Sequence, residues 1–417
     1  MTRRTFIVTA SAAASVAAAP QGSAPAIPES ISSLKPMTEG VQPITDEERH
    51  ARIEKARRLM RENKLSAVVL EGGSSMFYFT GTRWPQSDRI FALILPAAGD
   101  LVWIAADADN DRAEKAIRMS TDFRTWTDAY GPYKLIAEAL KDRKVGAGAR
   151  VGIEERVRFG VFDGIRQAAP NLEYASATPV TAGCRMIKSP AEIALMQRAN
   201  DVTIAAYKAA LANLHEGMTQ RDLGAMIAAA YRALGYQGNA MVSFGAYTAF
   251  PHGSITPQKL QEGDFVLIDD GCTVEGYQSD ITRTVIFGKP TERQKTVWNL
   301  ERKAQDAALA AAKVGATCES VDYAARKVIS DAGFGPDYKV PGLPHRTGHG
   351  IGLDGHEWTY LVKGNKTRMQ PGMCFSNEPT IAIYGEFGVR LEDCMYITES
   401  GARMFTKQSP AIDQPFG

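Results

Sequence analysis

Two short segments of this 417-residue chain place carboxylates where a folded protein cannot leave them unaccompanied. The first runs from Asp264 through Val266-Leu267-Ile268-Asp269-Asp270-Gly271, turns at Val274-Glu275-Gly276, and returns through Ser279-Asp280-Ile281-Thr282-Arg283-Thr284-Val285. Two apolar runs about a glycine-containing turn read as a β-hairpin. Asp269 and Asp280 are eleven positions apart about a midpoint near that turn, so they are expected opposite one another or nearly so, with Cβ atoms roughly 5 Å apart. Carboxylates that close, flanked by Leu267, Ile268 and Ile281, repel unless a cation or a shared proton intervenes. The second segment repeats the device. Cys374-Phe375-Ser376-Asn377-Glu378-Pro379 and Gly388-Val389-Arg390-Leu391-Glu392-Asp393 flank a turn at Tyr384-Gly385-Glu386, and Glu378 and Glu392 are fourteen apart about Gly385. Two such hairpins make a cavity of four carboxylates the simplest arrangement. With one imidazole added, it is a hard, oxygen-rich ligand set suited to a pair of Mn, Fe, Co or Zn ions rather than to a thiolate site.

The imidazole is expected from His345-Arg346-Thr347-Gly348-His349-Gly350-Ile351-Gly352-Leu353-Asp354-Gly355-His356-Glu357, which holds three of the six histidines. Its glycines let the backbone pass close to a metal or substrate. A strand or loop cannot turn every histidine inward, so one ligand and two accessory groups is the economical arrangement. The five cysteines, Cys184, Cys272, Cys318, Cys374 and Cys394, are odd in number and scattered, which suits buried thiols and not a disulfide framework. A net charge of +1 gives no electrostatic footprint for nucleic acid, so function must be local.

Helix and strand signals divide the chain. Ile53, Ala56, Leu59 and Met60 have helical spacing within 46–64, followed by strand signals at 66–70, 89–95, 101–105 and 150–153. This alternation predicts a separate α/β domain with a mixed sheet up to about Arg185. Ser189-Pro190-Ala191-Glu192 then marks a helix start with a capping box, and the helix is expected to continue to Leu214. Further helices are expected over 219–234, 291–313 and 317–332, two of them stopped by Gly235 and Gly333. With strand-rich segments between them, this is an α+β layout. The N-terminus differs from the rest: Arg3-Arg4, a weakly apolar Ala/Ser/Val run to Ala19 and a Pro/Ser/Ala-rich stretch to about Pro36 resemble a twin-arginine export signal and linker. The expected division is 1–35 signal and linker, 36–185 N-terminal domain, 186–417 catalytic domain. The expected location is periplasmic or secreted, with no membrane insertion once the signal is removed.

At I-D-D-G, S-D-I-T-R-T, G-H-G-I-G, N-E-P and R-L-E-D the sequence resembles the prolidase, aminopeptidase P and creatinase family, the pita-bread metallopeptidases, over about residues 46–405. The resemblance implies a pita-bread C-terminal catalytic domain preceded by a smaller creatinase-type α/β domain. It also implies five metal ligands: Asp269 on one ion, Asp280 and Glu392 bridging, His349 and Glu378 on the other. Two divalent ions, manganese first and cobalt, zinc or iron as alternatives, would then activate a water. By the same resemblance Glu378 also moves a proton, while His252 and His356 hold the scissile carbonyl and the tetrahedral intermediate. His345 is a further pocket histidine. Arg390, next but one to Glu392, is expected to orient an acid there. His50 and His215 match nothing and are expected at the surface.

Proline nitrogen carries no hydrogen and its ring fixes φ, so peptidases that grip an extended chain through that N–H handle X–Pro bonds poorly. The resulting expectation is an exopeptidase that cleaves X–Pro bonds in dipeptides or at peptide N-termini, in a homodimer or larger homo-oligomer. The alternatives are a lyase or hydrolase of a small zwitterion on the same fold, which Asp270 beside Asp269 keeps open, and a relative that only binds. The long N-terminal domain argues against a methionine aminopeptidase, and the intact ligand set against a metal-free amidinohydrolase.

Overall fold

A computed structural model describes residues 27–417; Arg3, Arg4 and the apolar run after them lie outside the described residues. The first domain is built on a six-stranded mixed sheet. Its strands lie in the order Phe123–Trp126, Val102–Ala106, Ala92–Pro96, Ala67–Glu71, Arg150–Ile153 and Glu173–Ser176. Ala67–Glu71 runs antiparallel to Ala92–Pro96 and parallel to Arg150–Ile153. All five of its residues are buried, because helices cover both faces of the sheet. Val69, Ile94 and Ile104 pack under Ile136, Leu140 and Ile165 of two helices, while Val68, Leu70 and Leu93 share a core with Ile53, Ala56 and Met60 of helix Asp46–Glu62. The strand expected from residue 89 begins at Ala92. Ser87 Oγ donates to the Arg89 carbonyl and accepts from its N–H, which diverts both groups from the ladder.

Residues 29–37, expected largely as linker, pack on the second domain. A short helix, Glu29–Ser32, buries Ile31. Ser30 Oγ donates to Ala209 O at 2.9 Å, and Met37 N donates to Leu234 O at 2.9 Å. The boundary drawn at residue 35 therefore falls inside a packed segment. A few apolar residues spread over a Pro/Ser-rich stretch carry no periodicity that would reveal it.

In the second domain the helices are Pro190–Leu211, Gln220–Ala233, Glu292–Ala311 and Cys318–Asp331. Ser189 and Glu192 form the capping box in full, and Thr219 and Thr291 cap the next two helices the same way. These helices flank antiparallel sheets. One sheet places Phe265–Asp269 between Met241–Phe244 and Arg283–Ile286. A five-stranded sheet runs Glu357–Leu361, Gly348–Gly350, Cys374–Asn377, Asp393–Thr398, Gly401–Met404, and a two-stranded ribbon joins Thr380–Ile383 to Phe387–Arg390. Phe265, Trp298, Phe375, Val389 and Met395 lie in one core between helices and sheets. Trp298 is anchored by its Nε1–H to the Thr284 carbonyl at 2.9 Å. All five cysteines are buried and free.

Register decides where the acids go. Arg283 pairs with Ile268, and Tyr277 with Val274; one register continues through both pairs and puts Thr282, not Asp280, across from Asp269. The two aspartates are thus diagonal neighbours rather than facing residues. Between the paired stretches the strands are irregular, with Asp270 at φ 134°, yet in-register bonds persist from Ile281 N to the Asp270 carbonyl and from Ser279 N to the Cys272 carbonyl, and Tyr207 Oη also donates to Asp270 O. In the second hairpin Asn377 pairs with Asp393 and Thr380 with Arg390, so the shared register puts Glu378 directly across from Glu392. The ladder breaks at this pair because Pro379 has no N–H. Glu378 N instead donates to Thr347 O and Glu392 N to Thr282 O. Both acid pairs therefore sit at irregular points, where strands change partners and side chains can converge.

Candidate metal centre

A cavity of about 330 Å³ is lined by Asp269, Asp280, His349, Glu378 and Glu392, together with His252, His345, His356 and Arg390. All nine residues singled out from the sequence come to one place. Ligand atoms of Asp269, Asp280 and Glu392 lie within 4.8 Å of one another, as do those of His349, Glu378 and Glu392. The two sets share Glu392.

His349 is buried, and its ring is oriented by a contact of Nδ1 with the Gly350 carbonyl at 3.1 Å. A carbonyl only accepts, so Nδ1 carries the hydrogen and Nε2 presents a lone pair. Burial and the neighbouring His356 hold its pKa down to about 3, which keeps the ring neutral. That lone pair faces Glu378 Oε1 at 3.3 Å and Asp280 Oδ2 at 3.6 Å. Acceptors facing acceptors at such distances call for a positive charge between them.

The carboxylates say the same. Burial, followed by the neighbouring acids, pushes Asp280 and Glu392 well above the usual carboxylate range. Glu378 rises to about 7 through burial, with Arg390 opposing and Asp269 adding to the shift. Glu392 Oε1 is buried without a hydrogen-bond partner. Unpaired buried oxygens and suppressed ionisation are what a site shaped for cations shows when only protons are available to it, so the donor set fits divalent metal.

Arg390 is the cation built into the wall. Its Nη2 pairs with Asp269 Oδ2, Nε donates to Thr282 Oγ1 at 3.0 Å and Nη1 to the Pro251 carbonyl at 2.9 Å. The acid it orients is Asp269 rather than its strand neighbour Glu392, and through Pro251 it also holds the segment carrying His252. His345 lines the cavity with both ring nitrogens engaged, by Arg346 O at 2.7 Å and Thr380 Oγ1 at 3.0 Å. It offers the cavity no free nitrogen, and its place is to pack and orient. His356 lies against the His349 ring with centroids 3.8 Å apart, and Arg346 Nη2 donates to its Nδ1 at 3.1 Å. That leaves Nε2–H as a donor. His50 and His215 are exposed, away from the cavity.

Three contributors were not anticipated. Thr282 Oγ1 is 2.7 Å from both Asp269 Oδ1 and Glu392 Oε2; it lies within the S-D-I-T-R-T run, which was the available signal. Arg346, inside the histidine-rich run, sets the His356 tautomer and stacks on Tyr360. Ser376 Oγ accepts the His349 N–H at 3.0 Å, a pairing no local pattern reveals. Asp270 lines a different cavity, of about 510 Å³, beside Arg232 and Asn239. Desolvation lifts its pKa to about 6 while the Gly271 N–H restrains it. It adds no fifth acid to the wall of the metal cavity.

Comparison with known proteins agrees with this geometry. Residues 194–399 match metallopeptidase family M24, and residues 52–187 match the creatinase/prolidase N-terminal domain. The chain is 30% identical over 367 residues to an Xaa-Pro dipeptidase of Lactobacillus delbrueckii subsp. lactis, covering 86% of this chain and 98% of that one. Among solved structures, the dipeptidase PepE of Mycobacterium ulcerans superposes with a TM-score of 0.81 at 32% identity, covering 88% of this chain and 97% of the other. A prolidase of Thermococcus sibiricus gives a TM-score of 0.78 at 30% identity, over 86% and 96%.

Proposed function

The chain belongs to metallopeptidase family M24, and from that premise we propose that it is a dinuclear-metal exopeptidase that hydrolyses X–Pro bonds, with X–Pro dipeptides as its first substrates. The observation that carries this reading is the paired ligand set: two overlapping groups of acids, one completed by a neutral histidine, sharing Glu392 in a single cavity. Asp269, Asp280, His349, Glu378 and Glu392 are the residues that would hold the ions. Manganese is the proposed metal because the set is oxygen-rich. When bound, such ions polarise a carbonyl and lower the pKa of water.

The chain's own residues do the rest. Glu378 takes the proton of the attacking water and delivers it to the departing proline nitrogen, which has no hydrogen of its own. His356, whose pKa is lowered by partial desolvation against the His349 ring and by the nearby Arg346, donates its Nε2–H to the carbonyl oxygen as charge develops there. His252, at the exposed rim of the cavity, fixes the orientation of the scissile bond. Arg390 and Thr282 hold Asp269 in place. Preference for the dipeptide is supported by the names of the relatives and by Arg346, a cavity-lining cation whose contacts run to the rings of His356 and Tyr360. The first domain reaches the rim as well: Ser74 Oγ donates to Asp354 Oδ1 at 2.6 Å, two residues from His356. A crowded rim suits small substrates.

Hydrolysis of a panel of X–Pro dipeptides and X–Pro–Y tripeptides by the metal-loaded protein tests the reading. Cleavage of dipeptides is the expected result; tripeptides alone would make it an aminopeptidase P, and no X–Pro cleavage with any divalent metal would end the proposal. Export by the twin-arginine route, with assembly as a homodimer, completes it. A fusion to the first forty residues that is still exported after Arg3 and Arg4 are both changed to Lys would rule that route out.

A further inference from the structure

The loop that carries His356 is held from outside its own domain. Asp354 and Glu357 bracket the histidine, and both are gripped by cations from the end of the first domain and the junction after it. Arg185, the last residue of helix Thr178–Arg185, donates from Nη2 to Asp354 Oδ2 at 2.6 Å and to Glu357 Oε2 at 2.5 Å. Its Nη1 reaches Ser75 Oγ at 3.2 Å. Lys188 Nζ takes the other Glu357 oxygen at 2.5 Å. The side chains of Arg185, Lys188 and Glu357 are at most 7% exposed, so these are desolvated, charge-assisted contacts rather than loose surface pairs. By contrast His356 is exposed, held by its ring contact with His349 and the Arg346 bond. The loop is also tightly wound here: a Cβ at Gly352 would meet Glu357 Oε1 at 2.6 Å.

We propose that Arg185 is a positioning residue of the catalytic centre, clamping Asp354 and Glu357 so that the Nε2–H of His356 faces the substrate oxygen. The two-pronged grip is what matters. Both bonds leave Nη2, whose two hydrogens point in fixed directions in the guanidinium plane, whereas the three hydrogens of an ammonium turn on a flexible stem and hold neither acid in a set direction. The inference rests on the X–Pro peptidase reading for its kinetic test and on geometry for its structural one.

Arg185→Lys retains the charge that neutralises the buried acids and removes the fixed, planar direction of the two bonds; Asp354→Asn is the second variant should the first fail to fold. The expected result is a kcat for X–Pro dipeptide hydrolysis lowered by roughly 10- to 100-fold, the cost of displacing a catalytic group by about an ångström, with KM and bound metal unchanged. In a His356→Ala background the same change should cost less than about twofold, because the group it positions is already gone. Equal fold-losses in both backgrounds, or no loss in either, would overturn the proposal. Hydrogen–deuterium exchange gives a readout that needs no substrate: amides of residues 352–358 should exchange faster in Arg185→Lys, with the rest of the chain unaltered. If the unsubstituted enzyme cleaves no X–Pro dipeptide, the function fails and the exchange decides the clamp alone. A rise confined to that loop supports it, and unchanged exchange refutes it.

Discussion

The Nε2 atom of His349 summarises the chemistry at the scale of single residues. A neutral nitrogen lone pair aimed at two carboxylate oxygens is unfavourable in a chain without cations and becomes favourable once a metal lies between them. Asp280 shares a ligand group with Asp269 and Glu392, and its Oδ2 also lies 3.6 Å from His349 Nε2, so it should be hard to replace. Asp280→Ala is expected to abolish hydrolysis and leave a folded, metal-poor protein, checked by elemental analysis alongside circular dichroism; full activity would refute the two-ion assignment. The candidate ligands were legible because they sit in short motifs whose residue types announce their chemistry. Thr282, Arg346 and Ser376 were not, because a hydroxyl or guanidinium gains its role only from partners brought close by folding, such as Glu392, which is 110 positions from Thr282.

At the scale of elements, the hairpins explain why the acids face inward. Their registers were nearly readable from turn positions. The symmetric spacing about Gly385 does place Glu378 opposite Glu392, whereas the first hairpin sets Asp269 across from Thr282 and Asp280 two places along. Sequence spacing alone could not show that offset, because it depends on which two residues turn the chain: Val274 pairs with Tyr277, so Glu275 and Gly276 make the turn and the register axis lies past the midpoint of Asp269 and Asp280. Close approach beside Asp270 makes Gly271 sensitive. An added Cβ would lie 2.1 Å from the Ser279 carbonyl oxygen, a backbone atom that moves only if the Asp280 strand moves with it. Gly271→Ala should therefore destabilise the fold by about 1–3 kcal/mol and weaken metal binding at the same time, seen in paired thermal melts and metal titrations. Unchanged metal affinity would mean that the two hairpin arms are not coupled to the site. Helix boundaries were legible to within a few residues, because Ser189, Thr219 and Thr291 cap their own helices with local bonds.

For the whole molecule, near-neutral net charge conceals a concentration of buried acid that should govern stability. In the metal-free chain the raised pKa values of Glu378, Asp280 and Glu392 mean that the folded state holds more protons than the unfolded one, so stability rises as pH falls from 8 toward about 6.5. Below about 6.5 the unfolded chain begins to charge His345 and His349, whose folded values lie near 3, which offsets at most two of the three extra protons the buried acids hold and so slows the gain without reversing it. The Tm of chelator-stripped protein should therefore climb on acidification from pH 8 and climb less steeply below about pH 6.5, while metal-loaded protein, its acids held by ions, should show no such rise. A stripped-protein Tm that climbs steadily to pH 8 would contradict the buried-acid account. If these acids serve to hold two ions for X–Pro hydrolysis, metal counting during reactivation shows it most directly. Stripped protein titrated with Mn²⁺ should regain X–Pro dipeptidase activity in step with binding and reach full rate at two ions per chain. Full activity at one ion, or two bound ions with no X–Pro hydrolysis, would contradict it.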